Sequence, residues 1–326
     1  NQSRRQRQMC IRDRYRVILV LEYVTTVPEL PEVEIVKQGL NQLTLNKEIL
    51  GGEVLLQRTV AYPISVDDFL GGLQGKAIAQ WHRQGKYLLA QLYKWGEKNS
   101  QLQARENQDG WLGVHLRMTG QLLWVNPEES LHKHTRVRLF FAHQSSGGEY
   151  HSTHELRFVD QRTFGQMWGV PPEKEISRII TGLKQLGIEP FSPEFCPNYL
   201  NKKFYKRHRP IKTALLDQTT IAGLGNIYAD EALFLSGIRP TTICKDLTEN
   251  QIEKLHLAIL KVLQTAIDAG GTTFSNFLNV KGVNGNYGGV AWVYNRAGQQ
   301  CRICNTSLEK IKLAGRSTHF CPQCQK

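Results

Sequence analysis

No apolar run in this 326-residue chain approaches the ~18 residues of a membrane span. The nearest stretch, Val17–Val24, is eight residues long and is broken by Glu22. A secretory signal would need a longer apolar region and a small-residue cleavage site, and neither is present. No internal repeat is found, which excludes a solenoid or propeller. Acidic charge is short: 29 Asp and Glu face 41 Lys and Arg, giving +12 and a pI near 9.4. The first 27 residues hold six Arg against Asp13 and Glu22, leaving +8 on the remainder. A soluble, intracellular protein with a polyanionic partner, nucleic acid first, is expected, although a merely basic protein fits the charge too. The seven cysteines do not form a disulfide framework. Cys10, Cys196 and Cys244 are scattered, whereas Cys301, Cys304, Cys321 and Cys324 cluster, as a metal site in a reducing compartment would.

The length predicts two domains and a small third module. Residues 1–27, Arg- and Gln-rich and then briefly apolar, have no amphipathic period and read as a disordered or non-native leader. Pro28–Leu40 reads as a turn and a helix. Val33, Val36 and Leu40 share one face, Glu32 and Glu34 complement the dipole, and Pro31 suits the first helical position. Strands are predicted over Glu48–Val60, Lys86–Tyr93, Trp111–Leu116, Gly120–Val125, Thr135–Ala142, Glu155–Asp160 and Gln166–Val170, with long exposed hairpin loops at 96–110 and 143–154. That pattern points to an antiparallel β-sandwich with one leading helix. After Pro171-Pro172 helices take over: Pro210–Gln218, Asn226–Ser236 and Thr248–Ala269. The last opens on the capping box "TENQ" and ends at Gly270-Gly271.

Cys301-x2-Cys304-x16-Cys321-x2-Cys324 carries a specific chemistry. Two C-x2-C turns supply four thiolates to one tetrahedral Zn2+ with no open position, so the metal is structural and folds a segment too short to build a core. Between the pairs a β-hairpin turns at Ala314-Gly315 and presents Arg316, either to a DNA groove or simply to solvent. In the helix pair, Gly223 and Gly225 suit a tight turn and Asn226 an N-cap. The second helix's amides, with Lys212 nearby, suit a phosphate; a purely structural αα-hairpin fits as well.

Together these pieces resemble the formamidopyrimidine-DNA glycosylase family. The resemblance rests on "PELPEVE" at 28–34, "GKYLL" at 85–89, "HLRMTG" at 115–120, "DQRTFG" at 160–165, "AGLGNIYADE" at 222–231 and the finger ending "CPQCQK" at 321–326, in the family's order. It implies an α+β multidomain fold: a catalytic β-sandwich over 28–170, a helix-two-turn-helix domain over 171–295 and a β-hairpin zinc finger over 296–326, after the 1–27 leader. The implied activity is a bifunctional glycosylase and AP lyase of base excision repair acting on oxidised purines in duplex DNA. The implied cofactor is one structural zinc, and the implied form is a cytoplasmic, nucleoid-associated bacterial monomer.

The resemblance also assigns roles. Pro28 is the nucleophile, whose secondary amine attacks C1′ and forms a Schiff base that undergoes β- and then δ-elimination. Glu29 protonates the ribose ring oxygen. Lys86 stands by the lesion and its phosphates, and Glu32 and Tyr287 belong to the lesion pocket. Met118 and Arg162 fill the gap left by the flipped nucleotide, and Phe164 wedges beside them. His115, Lys212, Asn226 and Arg316 hold the DNA, and Lys281–Gly289 is a closing loop. Taken singly, Pro28 is equally an ordinary loop proline, Glu29 and Glu32 helix-start charge, and Met118 and Phe164 core. Thr163 departs from the family, many members of which carry a second basic residue there, so one backbone contact is expected to weaken. Attack by Pro28 requires a free amine, and a leader would acylate it. Val27 is therefore expected to mark a GTG start, with the preceding residues misassigned. Two alternatives stay open: an endonuclease VIII-type glycosylase for oxidised pyrimidines, and a catalytically silent DNA-binding protein if the leader is retained.

Overall fold

The computed structural model describes residues 27–96, 108–144, 150–272, 279–283 and 285–326. The expected leader up to residue 26, the middles of both inserts and residue 284 of the expected closing loop lie outside the described residues. Nine strands are hydrogen-bonded in the order β2-β9-β5-β4-β3-β1-β7-β8-β6. They are β1 Glu48–Val54, β2 Val60–Tyr62, β3 Lys76–Gln84, β4 Tyr87–Lys94, β5 Trp111–His115, β6 Gly120–Val125, β7 Thr135–Gln144, β8 Tyr150–Asp160 and β9 Gln166–Val170. Every pairing is antiparallel except β2 with β9. β1 and β3 meet through the single pair Glu48–Ala77, and both halves of the order enclose one core containing Ile49, Trp81, Leu88, Val114, Leu139 and Phe158.

Three expectations need correcting here. β3 was not foreseen as a strand. A bulge between Ile78 and Gln80 breaks the two-residue alternation, so its apolar residues carry no strand period. The long segment predicted from Glu48 to Val60 is instead β1, a 3-10 turn at Gln57–Thr59, and β2. The 143–154 insert is mostly ladder rather than loop, since β7 and β8 stay paired out to Gln144 and Tyr150.

The Leu30–Leu43 helix joins the two halves of the molecule. Its Val33, Val36 and Leu40 enter the sandwich core as the period predicts, while Leu30 packs in the second, helical core. Pro31 is its second residue rather than its first. The second core is built on the Glu249–Asp268 helix, whose Ile252, Leu255, Ile259, Val262, Leu263 and Ala266 are buried. Each such large side chain contributes roughly 1.5–3 kcal/mol. The Thr248 capping box forms as expected: Gln251 N–H donates to the Thr248 hydroxyl at 3.3 Å, and Thr248 N–H to Gln251 Oε1 at 3.0 Å. Against this helix lie Asn226–Leu235, Pro197–Phe204 and the Leu30–Leu43 helix, and Ile211–Leu215 packs on Asn226–Leu235. The finger hairpin, β10 Glu309–Leu313 and β11 Arg316–Phe320, packs on Phe234 and Val293 through Leu308, Cys301 and Cys321. Among the described residues no helix is long and apolar enough to cross a membrane.

Candidate functional site

The site forms where the Leu30–Leu43 helix begins. Leu30 N–H donates to Gly223 O at 3.0 Å, which ties that start to the turn of the helix pair. Gly223 has φ +84, and the Gln218 side chain closes the turn by accepting from Gly223 N–H and donating to Leu224 O, both at 2.8 Å. Glu29 then reaches across 198 residues of sequence. Its Oε1 accepts from Ile227 N–H at 3.0 Å and its Oε2 from Tyr228 N–H at 3.4 Å. The carboxylate thus occupies the N-terminus of the Asn226–Leu235 helix, where the dipole favours negative charge.

Two expectations change as a result. Gly225, not Asn226, is the N-cap, and the amides expected to hold a phosphate are taken by Glu29. Gly225 is required for space rather than for φ: a Cβ there would stand 2.2 Å from Glu29 Cδ.

Glu29 is 3% exposed yet lines a cleft of about 840 Å³. Burial pushes its pKa up to about 7 against the opposing pull of Lys86. Near neutrality, then, this carboxyl can keep a proton that an exposed glutamate would have lost. Burial lowers the pKa of Lys86 in turn, while Glu29 and Glu32 raise it. Glu32 lies behind Glu29 and is fully buried. Its Oε2 accepts from Glu29 N–H at 2.9 Å, and its Oε1 accepts from Tyr228 OH at 2.5 Å and Thr272 N–H at 2.9 Å. Pro28 is buried and does not line the cleft, whereas its neighbour Val27 does.

Across the cleft stand His115, Met118 and Phe164, with Asn226 and Arg316 on the helical side. Burial first, and then Arg117 and Lys86, push the His115 imidazole down to about 3. The ring is therefore neutral. Its Nδ1 accepts from Arg117 N–H at 3.0 Å, so the ring proton sits on Nε2. Phe164 is 53% exposed, and the Arg162 guanidinium lies over its ring at 5.3 Å, so Phe164 is not core. The loop carrying both is held by Asp160, which accepts from Gly165 N–H at 2.7 Å and from the Thr119 hydroxyl. Thr163 brings no charge of its own, but the Arg58 guanidinium donates to its hydroxyl, so a cation does stand at that position.

Five expected site residues do not line the cleft: Pro28, Glu32, Arg162, Lys212 and Tyr287. Lys212 is 1% exposed and forms an ion pair with Asp230 at 2.6 Å. It also donates to Ser317 O at 2.8 Å and Thr318 Oγ1 at 2.9 Å, so its ammonium is engaged inside the protein. Tyr287 is 2% exposed; its ring meets Tyr228 edge-on at 5.2 Å and its hydroxyl donates to Glu231 Oε2 at 3.3 Å. A helical pattern of charged and aromatic residues does not reveal that they pack inward against another module. Tyr228, Glu231, Arg58 and Arg117 were not foreseen. Arg117 lies between two cleft residues within "HLRMTG", and Tyr228 and Glu231 lie within "AGLGNIYADE", so only Arg58 stands outside every quoted motif.

The four thiols of the finger lie within 4.8 Å of one another, with Cys301–Cys324 at 3.9 Å and Cys304–Cys321 at 3.4 Å. Zn–S bonds of ~2.3 Å in a tetrahedron require sulfurs about 3.8 Å apart, so this set fits one structural Zn2+. Ile303 N–H and Cys324 N–H point at Cys301 and Cys321 sulfur, as suits thiolates.

Three family models match the chain in order. They are the formamidopyrimidine-DNA glycosylase N-terminal domain over 27–167, that enzyme's H2TH domain over 186–277, and the zinc finger found in FPG and IleRS over 298–326. The formamidopyrimidine-DNA glycosylase of Trichodesmium erythraeum is 88% identical over 300 residues, covering 92% of this chain and 100% of its own. The chain belongs to the formamidopyrimidine-DNA glycosylase family. The Nostoc sp. member is 62% identical over 299 residues, covering 92% of this chain and all of its own. Among solved structures, Lactococcus lactis Fpg bound to abasic-site DNA superimposes with a TM-score of 0.77 at 32% identity, covering 91% of this chain and 99% of that one. A Lactococcus lactis complex with Fapy-dG DNA gives the same score and identity, covering 91% of this chain and all of the other. The family's two parts and its finger agree with the sandwich, helix pair and zinc module described above.

Proposed function

We propose that this chain is a DNA glycosylase and AP lyase of base excision repair that removes oxidised purines from duplex DNA. The observation that carries the reading is Glu29. It is a buried carboxyl with a pKa near 7, held on two helix amides beside Lys86, at the floor of a cleft large enough for an extruded nucleotide. The family membership and the Fapy-dG and 8-oxoguanine DNA complexes of its relatives support the substrate class.

In this reading Glu29 gives its proton to the ribose ring oxygen while the Pro28 nitrogen bonds to C1′. The glycosidic bond breaks, the base leaves with a proton, and an iminium ion joins Pro28 to the opened sugar. Loss of a C2′ proton then expels the 3′ phosphate, and a second elimination expels the 5′ phosphate. The step needs a free amine, so the Val27–Pro28 bond must be absent in the active form. Lys86 and neutral His115 hold phosphates beside the sugar, with Asn226 and Arg316 gripping the strand from the helical side. Met118, Arg162 and Phe164 fill the stack that the nucleotide leaves. Glu32 fixes Glu29, and the 281–289 segment closes over the base. The domain division at 170 and 295 and an association with the nucleoid belong to the same reading.

The test is competitive excision from 8-oxoguanine·C and thymine-glycol·A duplexes by the chain beginning at Pro28. Preference for 8-oxoguanine is expected. Dominant release of thymine glycol would move the chain to the pyrimidine-specific reading.

A further inference from the structure

Lys212 and Asp230 form a buried ion pair that the proposed chemistry does not use. Both are shut from solvent, at 1% and 0% exposure. Isolated, each would be costly there; they are tolerated because each is paired and further hydrogen-bonded. What matters is where the further bonds go. Lys212 donates to Ser317 O and Thr318 Oγ1. Asp230 Oδ2 accepts from His319 N–H at 2.9 Å. Asn226 Nδ2 also donates to Ser317 O, at 3.1 Å. These are three consecutive residues of β11, and the residue just before them is Arg316. Arg316 itself is exposed, lines the cleft, and follows a turn in which Ala314 and Gly315 have φ 46 and 79.

We infer that Lys212 and Asp230 are positioning residues for Arg316, so that Lys212 acts on DNA only through the finger strand and touches no phosphate. The pair sets the height of β11 on the helix pair and thereby the point at which the Arg316 guanidinium meets the DNA backbone. Packing of Leu308 against Phe234 and Val293 alone would seat the finger, but a hydrophobic contact is non-directional and leaves the strand free to slide. A charge pair with backbone partners on both sides fixes one register. This rests on the proposed function, because Arg316 is taken to bind damaged DNA.

The experiment measures affinity for a duplex carrying a tetrahydrofuran abasic analogue against salt concentration. It compares the full chain with K212M, R316A and K212M/R316A, with zinc content checked in each. Each phosphate contact contributes about 0.9 to the slope of log affinity against log salt. K212M and R316A should each weaken binding several-fold and lower the slope by about 0.9, and the double variant should lower it no further. A double-variant loss of about 1.8 would mean that Lys212 holds its own phosphate, and would overturn the inference. Because K212M strands the Asp230 charge, K212M/D230N is made alongside it. If that variant loses zinc, the pair folds the finger rather than aiming Arg316, and the inference fails on that side. Damaged and undamaged duplexes bound equally by the unaltered chain would instead count against the proposed function.

Discussion

Two buried carboxylates, one at the start of the Asn226–Leu235 helix and one in its middle, use the same device for opposite purposes. At its start Glu29 accepts from the amides of Ile227 and Tyr228. Further along, Glu231 accepts from Trp292 N–H at 2.7 Å, Val293 N–H at 2.9 Å, Tyr294 N–H at 2.8 Å and the Tyr287 hydroxyl. Both carboxyls are buried, and burial raises both pKa values. Only Glu29 lines the cleft beside Lys86. Glu231 spends its acceptor capacity stapling the segment that leads to the finger. A raised carboxyl pKa therefore does not identify a proton donor; access to the cleft does.

Replacing each carboxyl tests that contrast most sharply. E29Q should cost about 10²–10⁴-fold in 8-oxoguanine excision, with a stability loss of about 1 kcal/mol, smaller than that of E231Q because its amide faces two backbone N–H groups rather than the four donors around Glu231. Trapping on a preformed abasic site should fall less, since its open-chain aldehyde needs no ring-oxygen proton. E231Q should do the reverse, losing about 3 kcal/mol of stability because its amide turns a donor toward donors. A catalytic loss in E231Q matching that of E29Q, with the fold intact, would break the comparison.

Chelating the zinc comes next. Without metal the finger cannot hold its fold, so duplex affinity should collapse while circular dichroism of the sandwich and helical core changes little. G225A should lower the excision rate, because the added methyl displaces the Glu29 carboxylate it would overlap, at a cost of about 1–3 kcal/mol in stability.

The smallest effect is on pH dependence. In the proposed mechanism excision needs Glu29 protonated, which is lost as pH rises through about 7. It also needs the α-amine unprotonated, which is lost as pH falls below ~8. The rate should form a bell centred near ~7.5. E29D should shift only the alkaline limb, as measured by single-turnover excision across pH.

What could be read in the sequence was local. The finger was legible because zinc demands thiolates at fixed short spacings, and the Thr248 capping box because both partners lie within one turn. Strands Gly120–Val125 and Gln166–Val170 kept their predicted bounds because turn residues flank them. What stayed hidden was long-range. Glu29 caps a helix 198 residues away, so no local pattern could assign the cap to it rather than to Asn226. Lys212 looks like a surface lysine until Asp230 and β11 close over it. β3 was obscured by its own bulge.

The central claim is that the Pro28 amine, beside Glu29, is the nucleophile. Borohydride trapping on an 8-oxoguanine duplex tests it directly, using chains that begin at Asn1 and at Pro28. A covalent protein–DNA adduct should form from the Pro28 chain alone, with the peptide containing Pro28 carrying the sugar. Equal trapping by both chains, with an internal lysine modified, would contradict the account.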